Sequence, residues 1–230
     1  MDTRMGKEDR KKSISREEEE IMEQRTAEWF AARAGKVTAS RVADVIAKTK
    51  SGYSTSRANY AAELVVERLT GKPTEGFTNA AMQWGIDNEP LARAAYEDAT
   101  GNMVEEVGFV RHPLIEMSGA SPDGRIGVEG LIEIKCPMTA THIETLTTRQ
   151  IPAKYVTQMQ WQMACTTASW CDYISFDPRM PKHMRLIVIR QDRDNKLIAE
   201  LEKEVVAFLK EIDERIAKLN ELYEEDDNGI

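Results

Sequence analysis

Two acidic residues and a lysine lie close together in the segment SPDGRIGVEGLIEIKCP, residues 121 to 137. Asp123 occupies a Pro-Asp-Gly turn, and Glu133 and Lys135 later flank a single isoleucine. Successive side chains of a strand point to opposite faces, so Glu133 and Lys135 would emerge on the same face. If the turn and the strand pair as a hairpin, Asp123 reaches the same spot. The three residues would then form one polar cluster.

The chemistry open to such a cluster is metal-assisted hydrolysis of a phosphodiester. Two carboxylates and a backbone carbonyl, most naturally that of Ile134, can coordinate a hard divalent cation such as magnesium. A cation makes water more acidic, and an adjacent ammonium can stabilise charge that develops on a phosphoryl oxygen. The competing interpretation is an Asp-Gly turn beside a Glu–Lys surface pair, which would have no chemical role.

Alternating apolar and polar residues predict the strands that would position this cluster. GLIEIKCP is typical of a buried strand, because apolar residues surround its two charges and a glycine and a proline bound it. VEEVGFVRHP and MSGASPDGRIG precede it, and the three segments together predict a meander. Two more strands are predicted in WCDYISFDP and MRLIVIRQ.

Apolar residues at helical spacing predict helices around these strands. The predicted helices are a short one that begins at Thr38 or Ser40, SRANYAAELVVERLTG ending at Gly71, MQWGIDNEPLARAAYEDATG with Pro90 near its first turn, residues 153 to 168, and residues 194 to 223. This order predicts an α/β fold with a central mixed sheet flanked by helices.

Length and charge patterning indicate a single domain. The chain has 230 residues and no glycine- or proline-rich linker in its middle, so we expect one domain over residues 21–223. Residues 1–20 are mostly charged and predict a disordered tail, and residues 224–230 predict an acidic, solvated tail. The first twenty residues lack the apolar core of a signal peptide, and no apolar run approaches the ~18 residues that cross a bilayer. We therefore expect a cytoplasmic protein with no membrane contact.

Composition excludes several kinds of site. Three cysteines without a CxxC pair cannot form a zinc ribbon or a four-cysteine iron–sulfur cluster, so we expect them to be small buried apolar residues. The three histidines are isolated, which favours oxygen ligands for any metal. The formal net charge of -8 disfavours bulk attraction to nucleic acid, so DNA binding would require basic residues gathered locally.

SPDG followed by EIK resembles the PD-(D/E)xK nuclease superfamily. Within it, the chain resembles the phage-type alkaline exonucleases of the YqaJ viral recombinase family, also called the lambda exonuclease family. Four further stretches match this family: RAGKVTAS (33 to 40), WGIDNE (84 to 89), YVTQMQWQM (155 to 163) and YISFDPRM (173 to 180). The resemblance covers roughly residues 25 to 215 and implies a restriction-endonuclease-like core.

The same resemblance implies roles for individual residues. Asp123, Glu133, the carbonyl of Ile134 and Glu89 would bind the metal, and Lys135 would be the catalytic lysine. The terminal phosphate of the shortened strand would be bound by Arg33, Ser40, Ser121 and Gln158. Met82 would wedge between the strands, although it is equally suited to the core, and Lys50 would touch the duplex ahead.

The resemblance implies a magnesium-dependent exonuclease that resects linear duplex DNA from 5′ to 3′ and releases 5′-mononucleotides. Manganese could replace magnesium, and two ions are expected. The 3′ overhangs would serve phage-type recombination together with a single-strand annealing protein, and the enzyme would assemble as a ring-shaped homotrimer around DNA. The alternatives are another PD-(D/E)xK DNA endonuclease and a non-catalytic protein that binds DNA ends.

Overall fold

A computed structural model describes residues 22–74 and 79–223, so both predicted tails lie outside the described residues. Its helices are α1 (Ala27–Arg33), α2 (Val42–Ile46), α3 (Thr55–Thr70), α4 (Ala80–Thr100), α5 (Thr139–Thr148), α6 (Ala153–Thr166) and α7 (Asn195–Leu222), with short 3-10 turns at Ala39–Arg41 and Lys182–Met184. Its strands are β1 (Val37–Thr38), β2 (Lys48–Thr49), β3 (Gly52–Tyr53), β4 (Val110–Arg111), β5 (Ser118–Ala120), β6 (Gly124–Ile126), β7 (Gly130–Lys135), β8 (Trp170–Phe176) and β9 (Leu186–Asp192).

The central sheet has the strand order β6-β7-β8-β9 and is mixed. β6 and β7 form the predicted antiparallel hairpin, with Gly124 opposite Ile132. β7 pairs in parallel with β8, and β8 pairs antiparallel with β9. β7 is therefore an interior strand, and all its residues except Lys135 are buried.

Helices cover both faces of the central sheet. Ile132 and Ile134 of β7 pack with Ala92 and Tyr96 of α4 on one face. On the other face, Leu131 of β7 packs in a cluster with methionines of α6. Because side chains alternate along a strand, Glu133 and Lys135 share the α6 face with Leu131. β7 therefore holds its two charged residues on the face that α6 covers.

The predicted three-stranded meander is wrong. β5 belongs to a separate sheet of order β1-β5-β4, where it pairs in parallel with β1 and antiparallel with β4. The predicted middle strand is interrupted between Ala120 and Gly124, where Pro122 has no N–H to donate to a ladder. The interruption places β5 in one sheet and β6 in the other, with Asp123 at the junction.

The predicted helices are present, with two corrections. Pro90 lies in the middle of α4 because this helix begins earlier, after Asn79, whose side chain accepts a hydrogen bond from the Met82 N–H. The helix predicted after Thr38 or Ser40 begins as a 3-10 turn and continues as the single short turn of α2. The sequence prediction omitted α1 and α5. α3 ends at Gly71, which is left-handed as predicted.

The largest apolar core lies beside the small sheet, where α7 packs against α2 and α3. All three cysteines are free and buried, as predicted. Within the described ranges, no helix has the length and apolar composition needed to cross a membrane.

Candidate active site

Asp123 ends the connection between β5 and β6, and its side chain is bound to β7. Its Oδ2 accepts a hydrogen bond from the Ile134 N–H at 2.6 Å. The N–H and C=O groups of one strand residue point to the same edge, so the Ile134 carbonyl faces the same side as Asp123. The carboxylate and the carbonyl predicted as joint ligands therefore lie at one edge of β7.

Glu133 is fully buried, and both of its oxygens accept hydrogen bonds. Oε1 accepts from Gln158 Nε2 at 2.7 Å and from the ammonium of Lys135. Oε2 accepts from Gln162 Nε2 at 2.5 Å. The two glutamines are four residues apart on α6 and therefore share one face of that helix. Amide and ammonium groups thus hold this carboxylate beneath α6.

Lys135 extends from the strand end into the cleft. Its Nζ bonds Glu133 and lies 5.1 Å from the centre of the Tyr155 ring. Burial lowers the pKa of Lys135, but the carboxylates of Glu133 and Asp123 outweigh that effect and raise the pKa above its usual value. Lys135 is therefore a fixed positive charge at neutral pH.

Glu89 reaches the same spot from α4, and a guanidinium contacts each of its oxygens. Arg25 bonds Oε2, and Arg93 Nη2 donates to Oε1 at 3.3 Å. The Glu89 side chain is 15% exposed, so these ion pairs lie partly out of solvent. Glu89 is thus near Asp123 although the two are far apart in sequence.

The pKa of Asp123 reflects this crowding. Burial raises it well above its usual value, the charges of Glu133 and Glu89 raise it further, and Lys135 opposes them. No three Asp, Glu, His or Cys side chains in the described ranges are already spaced as ligands of one metal ion. The acidic oxygens instead bond lysine, arginine, amide and backbone groups.

Arg33 and Ser121, predicted to bind phosphate, are hydrogen-bonded to each other. Arg33 Nη1 donates to Ser121 Oγ at 3.1 Å, and its guanidinium stacks 3.9 Å from the centre of the Trp29 ring. Trp29 Nε1 also donates to Ser121 Oγ, at 3.0 Å. Because this oxygen accepts twice, the hydroxyl hydrogen of Ser121 is free to be donated elsewhere. Burial lowers the pKa of Arg33 to about 10, which leaves it charged at neutral pH.

A cleft of about 810 Å³ opens beside the acidic residues. Its lining includes Arg25, Ser40, Met82, Glu89, Asp123, Ile134, Lys135, Lys154, Tyr155 and Gln158. Ser40 lies on the cleft wall, whereas the amide of Gln158 is directed to Glu133. Met82 is 55% exposed, so the alternative that it is a core residue is wrong. Lys50 lies in the exposed turn between β2 and β3, outside the described lining of the cleft.

The sequence prediction missed Gln162, Arg25 and Arg93, which contact the predicted acids directly. Gln162 had a usable signal, because Gln158 and Gln162 are polar residues at i, i+4 on a helix that is otherwise apolar on that face. The sequence held no comparable signal for the two arginines. Arg25 is one of many charged residues near a predicted tail, and Arg93 is one of many on a predicted helix. Their partners are defined only by the tertiary fold.

Comparison with known proteins gives consistent matches. Residues 28–169 match the YqaJ-like viral recombinase domain family. An alkaline exonuclease from Laribacter hongkongensis is 54% identical over 87% of this chain and 99% of its own, with a TM-score of 0.81. A second structure of that enzyme, in complex with dAMP, gives a TM-score of 0.82. No curated protein sequence matches the chain.

A phage-related exonuclease from Haemophilus somnus 129PT is 18% identical over 80% of this chain and 96% of its own, with a TM-score of 0.63. At that identity, the likeness concerns the fold alone. The predicted fold class, a restriction-endonuclease-like α/β core with a mixed sheet flanked by helices, is confirmed.

Proposed function

Because the chain belongs to the YqaJ-like viral recombinase family, we propose that it is a magnesium-dependent exonuclease that degrades one strand of linear duplex DNA from its 5′ end. The observation that carries the proposal is the arrangement of Asp123, Glu133, Lys135 and Glu89, which come from three elements and lie together beside one cleft. The relative solved with dAMP supports a deoxynucleotide strand as the substrate.

The donors at this site fit a hard divalent cation. Asp123, Glu133, Glu89 and the Ile134 carbonyl offer only oxygen atoms, which magnesium and manganese prefer. Burial raises the pKa of Asp123, the charges of Glu133 and Glu89 raise it further, and a bound cation would oppose both effects by favouring the ionised carboxylate. These four residues would hold the metal, with two ions as the resemblance implies. When bound, magnesium would supply Lewis-acid stabilisation of a phosphoryl group.

Lys135 would stabilise the charge that develops on the scissile phosphate. Its ammonium is fixed by Glu133 and remains protonated, so its position requires little reorganisation during the reaction. In the proposed hydrolysis, water forms a bond to phosphorus and the bond to the 3′ oxygen of the terminal nucleotide breaks. The leaving 3′ oxygen takes up a proton, and the products are a 5′-mononucleotide and a strand with a new 5′-phosphate.

Arg33 and Ser121 would select the 5′ end. A terminal phosphate carries about one more negative charge than an internal diester at neutral pH, and a guanidinium with hydroxyl donors favours that charge. Ser121 is close in sequence to Asp123, so a phosphate held there would lie near the acidic site. Ser40 would add a second hydroxyl from the cleft wall.

Removal of one strand from each 5′ end leaves 3′ single-stranded overhangs. Such overhangs are substrates for strand annealing, so the expected partner is a single-strand annealing protein in phage-type recombination. A ring-shaped homotrimer around the duplex would keep the enzyme on its substrate between cleavage steps.

Digestion of labelled DNA tests this function. Linear duplexes carrying a label on the 5′ or the 3′ end of one strand are incubated with the protein in magnesium or EDTA, beside a closed circular plasmid. We expect early release of the 5′ label as a mononucleotide, late release of the 3′ label, no cleavage in EDTA and an intact plasmid. Plasmid cleavage would indicate an endonuclease, and binding of ends without cleavage would indicate a non-catalytic protein.

Lys135 and Lys154 provide a matched pair of variants. Both ammonium groups lie over the Tyr155 ring, Lys154 at 4.7 Å from its centre, but the bond to Glu133 is made by Lys135. Lys135→Met should lower kcat by about a hundredfold or more, as expected for loss of a positioned electrostatic group. Lys154→Met should leave kcat unchanged, and any effect of this substitution should be on KM. Equal kcat values for the two variants would remove Lys135 from the proposed chemistry.

A further inference from the structure

Arg93 contacts both sides of the acidic site. It lies one turn after Glu89 on α4, and its Nη2 donates to Glu89 Oε1 at 3.3 Å and to the Asp123 carbonyl oxygen at 3.1 Å. Its Nη1 bonds Glu106, which is 71% exposed. One guanidinium therefore joins the helix that carries Glu89 to the turn that carries Asp123.

Glu89 and Asp123 come from two elements, and in the described structure no backbone hydrogen bond between these elements fixes the distance between the two residues. α4 places Glu89, and the turn before β6 places Asp123. Among the side chains that the structure describes, that of Arg93 bonds both residues. Both bonds come from Nη2, whose two hydrogens are fixed in the plane of the guanidinium, so the directions of the two acceptors are set more strictly than by an ammonium, which rotates freely. The Arg93 side chain is 18% exposed, which keeps these contacts partly out of solvent.

Arg25 contacts the other oxygen of Glu89, but its side chain is more exposed than that of Arg93. Its side chain is 44% exposed and comes from the segment before α1, where its φ of 69° is left-handed. In addition, Arg93 Nε is buried without a hydrogen-bond partner among the described residues. A buried donor without a partner destabilises a fold, so the guanidinium is placed for the contacts of its outer nitrogens.

We propose that Arg93 is a positioning residue that holds Glu89 beside the Asp123 turn, so that both carboxylates can reach one metal ion. This inference rests on the proposed function, because the acids it positions are the proposed metal ligands. Arg93 does not touch the reacting phosphate. Its loss should therefore weaken metal binding and slow the reaction while leaving DNA binding unchanged.

The test compares Arg93→Met and Arg93→Lys with the wild-type protein. Manganese affinity is measured by calorimetry without DNA, and kcat, KM and the magnesium concentration for half-maximal rate are measured on linear duplex. Loss of a residue that supports metal ligands typically costs 10–100-fold in metal affinity or activity. We expect a loss of about that size for Arg93→Met, an intermediate loss for Arg93→Lys, and an unchanged KM for DNA.

Arg190→Met is the matched control for removal of a paired arginine. Arg190 forms two hydrogen bonds to the buried Asp172, at 2.8 and 3.0 Å, on strands away from the cleft. It should lower the melting temperature without changing metal affinity. If Arg93→Met behaves like this control, Arg93 is merely structural and the inference is overturned.

Two outcomes separate the inference from the proposed function. Wild-type metal affinity and rate in Arg93→Met would overturn the positioning role while the exonuclease proposal stands. A wild-type protein that does not digest duplex DNA with magnesium would overturn the function itself. If Arg93→Met does not fold, Arg93→Lys decides, because wild-type metal affinity in that variant would exclude a need for the guanidinium fork.

Discussion

At the level of single residues, Glu133 shows how a charge is maintained inside this fold. A buried carboxylate is tolerated only when its oxygens are hydrogen-bonded and its charge is balanced. Two amides of α6 satisfy the oxygens, and Lys135 balances the charge. Asp123 is less well balanced, because its burial and its acidic neighbours Glu133 and Glu89 raise its pKa more than Lys135 lowers it. The instability of the site is therefore concentrated at Asp123.

Asp123→Asn should stabilise the protein in the absence of metal. The pKa of Asp123 lies above its usual 3.8 in the folded state, so the folded protein binds more protons than the unfolded chain between 3.8 and that raised value. Stability therefore falls as pH rises through this window, and an amide removes the loss. Relative to the wild type, we expect Asp123→Asn to leave the free energy of unfolding unchanged below pH 3.8 and to raise it by about 1 kcal/mol above the window.

Thermal denaturation in EDTA across pH measures this effect. A gain of about 1 kcal/mol corresponds to roughly 2–4 °C in a protein of this size. Magnesium should raise the melting temperature of the wild-type protein and have little effect on Asp123→Asn, since the ion binds the folded state through that carboxylate. A variant that loses stability in EDTA, or is stabilised by magnesium as much as the wild type, would contradict the assignment.

Arg33 should determine the response to the 5′-phosphate. Its guanidinium is held by Ser121 and by stacking on Trp29, so its position does not depend on DNA. Arg33→Ala should slow digestion of 5′-phosphorylated duplex by roughly tenfold or more, which corresponds to the loss of a charge-assisted hydrogen bond worth about 1.5–3 kcal/mol. Duplex with a 5′-hydroxyl is the control and should be affected much less. Equal loss on both substrates would assign Arg33 to general DNA binding or folding.

The residues that sequence could predict are those whose spacing is local. Asp123, Glu133 and Lys135 follow from one turn and one alternating strand, and the structure brings them together. Arg93 and Gln162 depend on how α4 and α6 pack against the sheet, and no local pattern fixes that packing. Gln158 was predicted as a phosphate ligand, whereas its amide is directed to Glu133.

At the level of elements, local alternation predicted the β6–β7 hairpin but not the division of strands between two sheets. The hairpin depends on neighbouring segments, whereas β5 pairs in parallel with β1, far away in sequence. Gly119 allows β5 to lie close to its other neighbour in this sheet, β4, and to Phe109. A Cβ atom there would lie 2.4 Å from the Phe109 ring and 2.6 Å from the Val110 carbonyl oxygen.

Gly119→Ala should therefore destabilise the small sheet, by about 1–3 kcal/mol for overpacking in a core. Gly85→Ala is the matched control, because a Cβ atom at Gly85 meets nothing within 4 Å and an alanine favours α4. Urea denaturation should show a lower midpoint for Gly119→Ala and an equal or higher one for Gly85→Ala. An unchanged midpoint for Gly119→Ala would mean that the sheet adjusts without cost at this position.

At the level of the whole molecule, the net charge of the protein has the same sign as the charge of its proposed substrate, DNA. The chain carries a formal net charge of -8, which repels DNA at long range. Basic groups are nevertheless present at the cleft, where Arg25, Lys135 and Lys154 belong to the described lining. A closed ring that faces such clefts towards an enclosed duplex would leave the acidic surface outside, so the charge balance is compatible with the proposed trimer.

Light scattering over a range of concentrations should therefore give a mass about three times the 26.0 kDa of one chain. Closed rings are a common form of cyclic homo-oligomer, and a ring threaded by its substrate cannot leave sideways without opening. Once loaded, the protein should complete the digestion of a long labelled duplex after excess unlabelled duplex is added. Dilution that yields monomers should make digestion sensitive to the competitor. A monomer of 26.0 kDa that resists the competitor at all concentrations would show that retention on DNA comes from the cleft of a single chain and that no ring is required.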